Sequence, residues 1–64
     1  MELLKGDKVE LTTVGQSHFG DLKNGKVVDR EYDEEDCEYC YYVDWDGNNE
    51  TQFHYNDEVA LKVN

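Results

Sequence analysis

Proline is absent from this chain, cations are few, and no apolar run is long enough for the core of a secretion signal or for a membrane span. Without proline there is no proline-rich linker, and glycine, asparagine and aspartate are left to mark the turns. The lack of an apolar run, with Met1 at the start, predicts a complete soluble protein that stays in the cytoplasm. At 64 residues the chain has room for one small domain, 1–64, whose stability is marginal. Cysteine is scarce as well. Cys37 and Cys40 form a single C-x-x-C without the second pair of a zinc ribbon, and His18 and His54 lie at no ligand spacing from it or from each other. The acids around the two cysteines disfavour a thiolate, so the expectation is two reduced thiols, with no metal and no cofactor.

What the chain has in abundance is negative charge. Sixteen Asp and Glu face six Lys and Arg, a formal net charge of -10. Twelve of the acids fall between Asp29 and Glu58, where Arg30 is the only Lys or Arg, so the field is concentrated. Such a field repels phosphate backbones and anionic headgroups and favours cationic partners. Direct binding to nucleic acid or membrane is therefore not expected. Disorder, the other outcome of high charge and low hydropathy, is opposed by five Tyr, Trp45, Phe19 and Phe53, spaced as strands space them.

Lys8 to Thr12 alternates polar and apolar residues and predicts a strand with Val9 and Leu11 on one face. Val14 to Asn24 breaks the pattern and reads as a long loop. Gly25 opens a second strand, Lys26 to Tyr32, in which the adjacent Val27 and Val28 leave the parity open and suggest a bulge. Asp33 to Asp36 is an exposed turn. In the third strand Tyr41, Val43 and Trp45 form an inward row, with Tyr42 and Asp44 outward. Asp46-Gly47-Asn48-Asn49 is hairpin chemistry. Thr51, Phe53 and Tyr55 are expected to line the inner face of a fourth strand. After a single turn at 56–58, Val59, Leu61 and Val63 alternate in a fifth. No stretch of about eleven residues carries a helical apolar period. Five short strands in this order predict an all-β, five-stranded SH3-like barrel.

The wording of Lys5-Gly6-Asp7-Lys8-Val9, Gly25-Lys26-Val27, Tyr41 to Asn48, Glu50-Thr51 and Asn56-Asp57-Glu58 resembles the Tudor branch of SH3-like barrels over nearly the whole chain. That resemblance implies a Tudor-like fold and a reader of methylated or cationic side chains, with Trp45, Phe19 and Tyr32 as walls of an aromatic cage. Thr12 and Thr13 stand where such cages often place an aromatic residue. Parity gives Trp45 two readings, core or cage.

Catalysis through paired carboxylates needs a concave, water-excluding site, for which a barrel of this size has little interior, so no enzyme is expected. Asp44, Asp46 and Asn48 echo a calcium loop, but Tyr55 stands where its closing glutamate belongs. The surface that stands out joins the turn Asp33, Glu34, Glu35 and Asp36 to Glu31, Glu38, Asp44, Asp46 and the outward Tyr42. Carboxylates held at strand spacing imitate a nucleic-acid backbone, and an exposed aromatic anchors in a pocket. The leading expectation is thus an interaction module that binds a basic, nucleic-acid-binding surface of a partner protein and inhibits or regulates it. Small acidic proteins of this kind are typical of bacteriophages, in which case the cytoplasm is the host's.

Overall fold

The computed structural model describes residues 2–47 and 50–63. Asn48 and Asn49, the second half of the expected hairpin turn, lie outside the described residues. The strands are β1 (Lys8–Leu11), β2 (Gly25–Asp33), β3 (Glu38–Trp45), β4 (Thr51–Tyr55) and β5 (Val59–Leu61), with one helix, α1 (Thr13–Phe19), after β1. They form one antiparallel sheet in the order β4-β3-β2-β1-β5, a small all-β fold of the SH3-like kind. The core is Leu3, Val9, Leu11, Val27, Tyr41, Val43, Trp45 and Val59. The inward row of β3 and the Val9/Leu11 face of β1 thus lie where alternation puts them. Gly25 sits directly opposite Trp45, and a Cβ there would collide with the indole ring.

β2 pairs with β1 through Gly25 and Lys26 and, at Val27, with the backbone of Gly6 and Asp7 just before it, but with β3 all the way to Asp33. The β2–β3 hairpin therefore extends past the rest of the sheet. A register shift between Val27 and Asp29 marks the bulge, which buries Val27 and leaves Val28 exposed. Extra twist at a bulge lets one strand serve both the core and the arm. At the far end Asp33 Oδ1 accepts the backbone N–H of Glu35 at 3.0 Å, folding the exposed turn that leads into β3.

Three expectations are corrected. The segment after β1 is not all loop: Thr13–Phe19 is a seven-residue helix. Thr12 caps it by accepting the Gly15 N–H, and Gly20 closes it by donating to the Gln16 carbonyl. A helix this short is marginal alone and is held by its contact with the chain at Glu58. Gly15 makes that contact, since a Cβ there would strike the Glu58 carbonyl oxygen. In β4 the parity is reversed. His54 is the buried residue, while Thr51, Phe53 and Tyr55 face outward. Finally, β5 ends at Leu61, and only Val59 of its expected apolar row is buried.

Candidate functional site

Residues directly opposite in an antiparallel pair share a face, so the registers give the composition of the outer surface. Asp29, Glu31 and Asp33 of β2 lie opposite Tyr42, Cys40 and Glu38 of β3, and Cys40 and Tyr42 lie opposite Tyr55 and Phe53 of β4. One continuous face therefore carries four carboxylates around Tyr42, Phe53 and Tyr55. The rings meet edge to face, Tyr42 to Phe53 at 5.4 Å and Phe53 to Tyr55 at 5.3 Å. Phe53 is 38% exposed and Tyr55 49%, so this aromatic ladder is open to a partner. Shallow depressions flank Glu31, one lined by Val28, Asp29 and Tyr42 and the other by Asp33, Cys40 and Phe53.

The hydroxyl of Tyr42 donates to Glu31 at 3.2 Å. The Glu31 charge, with burial and this hydrogen bond, raises the Tyr42 pKa above its ordinary value, so the hydroxyl stays a donor at neutral pH. Burial, and then the charges of Asp33, Glu38, Glu31 and Asp36, push the Cys40 thiol up as well. Cys37 and Cys40 are both free thiols. Arg30, the only cation of the acidic stretch, lies on the opposite face. Its guanidinium sits 4.7 Å from the Tyr39 ring centroid and bonds Glu2 at 2.7 Å. The carboxylates of Glu31, Asp33 and Glu38 are consequently left without a cation within ion-pair distance among the described residues.

The expected site residues divide on this geometry. Glu31, Asp33, Glu38 and Tyr42 come together, with Glu34, Glu35 and Asp36 at the tip of the same hairpin. Asp44 shares the face but stands opposite Lys26, and Asp46 is a turn residue whose carboxylate accepts from Asn24 at 2.8 Å. Asp29, Phe53 and Tyr55 were not expected in the patch. Alternation along β4 points Phe53 and Tyr55 inward, which hides the two aromatics from the sequence, because the buried position belongs to His54.

The aromatic cage is dispersed. Trp45 is 5% exposed and donates its indole N–H to His54 Nε2 at 3.0 Å. Phe19 packs edge-on against the same imidazole at 4.5 Å, whereas Tyr32 pairs with Tyr39 at 5.1 Å. His54 and His18, far apart in sequence, meet at the buried Glu58. Its Oε2 lies 2.8 Å from His18 Nδ1, and its Oε1 accepts the Tyr55 N–H at 2.8 Å and faces His54 Nδ1 at 3.6 Å. Burial alone would raise the Glu58 pKa, but the bond to His18, the Tyr55 N–H and both imidazoles outweigh it and hold the group below its ordinary value. Burial lowers the His54 pKa despite Glu58. Among the described residues no group of His, Cys, Asp and Glu is arranged to hold a metal ion, and no helix is long and apolar enough to cross a membrane. Comparison with protein-family models, with curated proteins and with solved structures finds no match.

Proposed function

We propose that this domain is a non-enzymatic interaction module whose acidic hairpin face occupies a basic, nucleic-acid-binding surface of another protein and thereby inhibits or regulates it. One observation carries the reading: Glu31, Asp33 and Glu38 share one sheet face with a ladder of half-buried Tyr42 and exposed Phe53 and Tyr55, while Arg30 is turned to the other side. Carboxylates at strand spacing supply the regular charge that a basic groove recognises, and the rings supply anchors that resist release. A reader of methylated side chains has less support, because Trp45 is committed to the core and to His54. The test is capture of partners from a lysate at low and high salt, followed by binding kinetics with DNA or RNA as competitor. The reading requires affinity that falls with salt and competition by nucleic acid. Salt-independent binding that ignores nucleic acid overturns it.

A further inference from the structure

At the end of the β2–β3 hairpin away from its acidic tip, three of the six cations, Lys8, Lys26 and Lys62, line one depression of about 330 Å³. Lys8 lies directly opposite Lys26, and the Lys62 N–H donates to the Lys8 carbonyl at 2.9 Å, so the three form a row across β2, β1 and the end of β5. Like charges at adjacent cross-strand positions destabilise a sheet. The other three cations each have a carboxylate within reach: Lys5 at 3.6 Å from Asp29, Lys23 at 3.8 Å from Asp21 and Arg30 at 2.7 Å from Glu2. Among the described residues the three row lysines have none. In a chain with sixteen acids, cations serving only to offset charge would be dispersed among them. Asp44, opposite Lys26, borders the same depression, and its Oδ1 is shielded from solvent with no hydrogen-bond partner among the described residues. A buried acceptor without a donor is costly, and a turn of the half-buried Asp44 carboxylate that brings Oδ1 to the depression would let a ligand hydroxyl satisfy it.

We propose that this depression binds a small hydroxylated phosphate ester, its phosphate held by Lys8, Lys26 and Lys62 and a hydroxyl donating to Asp44 Oδ1. A dianionic head relieves the repulsion within the row, and the lysine stems wall the body of the ligand. The volume is at the small end of ligand sites, which fits a sugar phosphate. A longer nucleic-acid strand would run onto the carboxylates of the hairpin and be repelled. By register this site lies on the same sheet face as the proposed protein-binding patch, at the opposite end of the β2–β3 pair from Glu38 and Asp33, and its chemistry does not depend on that reading.

The test is an amide NMR titration of the full chain with ribose 5-phosphate, inorganic phosphate and ribose. Ribose 5-phosphate and phosphate are expected to shift the amides of Lys8, Lys26, Lys62 and Asp44 and to spare Lys5 and Lys23. The ester should bind about tenfold more tightly than phosphate, as one added hydrogen bond implies, and ribose alone should cause no shift. The double variant K8Q/K26Q, which relieves repulsion and should remain folded, is expected to lose binding of both anions. Asp44→Ala should keep phosphate binding and abolish the preference for the ester. Shifts of similar size at Lys5 and Lys23, equal affinity for ester and phosphate in the native chain, or unchanged binding by K8Q/K26Q overturns the proposal. Tighter binding of a short RNA than of the ester also overturns it.

Discussion

Trp45 gives its indole proton to His54 Nε2 at 3.0 Å, which makes Nε2 an acceptor and places the imidazole proton on Nδ1, toward Glu58. Protonating His54 would set two donors against each other in the core. Its pKa is depressed from the ordinary 6.5 by burial, against the opposing pull of Glu58. A group with a depressed folded pKa binds protons more readily in the unfolded chain, so its contribution to stability is complete above about pH 6.5 and is lost as pH falls toward the folded value. Glu58, also depressed, from 4.5, adds a second loss of the same sign below that pH. Relief of acidic self-repulsion acts in the opposite direction. The comparison must therefore be with His54→Gln, which keeps an acceptor for Trp45 and does not titrate. Urea unfolding at pH 7.5 and pH 5.5 should show the native chain losing stability relative to His54→Gln.

Gly15→Ala tests how α1 is held. In an exposed helix interior this change stabilises by up to about 1 kcal/mol. Here the new methyl would strike the Glu58 carbonyl and crowd Leu11, so the sign reverses and thermal unfolding should show a destabilisation of about 1–3 kcal/mol. A higher melting temperature would mean that the helix is not seated on Glu58.

Val43→Asp should prevent folding. Val43 is fully buried in the inward row of β3, and an unpaired charge there costs more than a domain of this size can spare. The amide spectrum should collapse to random-coil dispersion.

The acidic tip should behave differently. Replacing Asp33 by Asn and Glu34, Glu35 and Asp36 by Ser keeps the Oδ1 acceptor that folds the turn and removes the charge of half-buried Asp33 and of three exposed residues. Unfolding should remain cooperative. Asp33→Ala alone should cost about 1 kcal/mol, because the Glu35 N–H loses its partner.

On the proposed binding face, charge and aromatics should separate kinetically. Neutralising Glu31 and Glu38 should chiefly slow association with the captured partner, since exposed charges act by steering. Phe53→Ala or Tyr42→Ala should chiefly speed dissociation, because buried rings act as anchors. Surface-based kinetics over a salt series would measure both.

The contrast between β3 and β4 shows what was legible in the sequence. In β3 the polar residues Asp44 and Tyr42 alternate with Tyr41, Val43 and Trp45, so hydrophobic periodicity and true parity agree. In β4 the alternation of Phe53 and Tyr55 with Gln52 and His54 points the wrong way, because the buried position is filled by a histidine whose polarity is met by Trp45. No local pattern shows that a partner waits on another strand. The helix was hidden for a similar reason, since Gly15 lowers local propensity while making the close approach that holds the segment. The acidic tip and Tyr42 could be placed from sequence. The aromatic ladder and the lysine row could not, because each depends on register between strands distant in the chain.

The overhanging hairpin has a consequence for behaviour in concentrated solution. Beyond Val27, which bonds the backbone of Gly6 and Asp7, the outer edge of β2 has no strand beside it among the described residues, and β4 is itself an edge. Bare edges are templates for edge-to-edge growth into ribbons. Glu31 and Asp33 leave the first edge net negative, since Lys5 offsets Asp29 and Glu2 offsets Arg30, so two copies approaching edge to edge repel each other. The same carboxylates proposed to greet a basic partner thus act as a brake on polymerisation. High salt or acid, by silencing them, should release that brake before the core unfolds, and light scattering across such a series would register it.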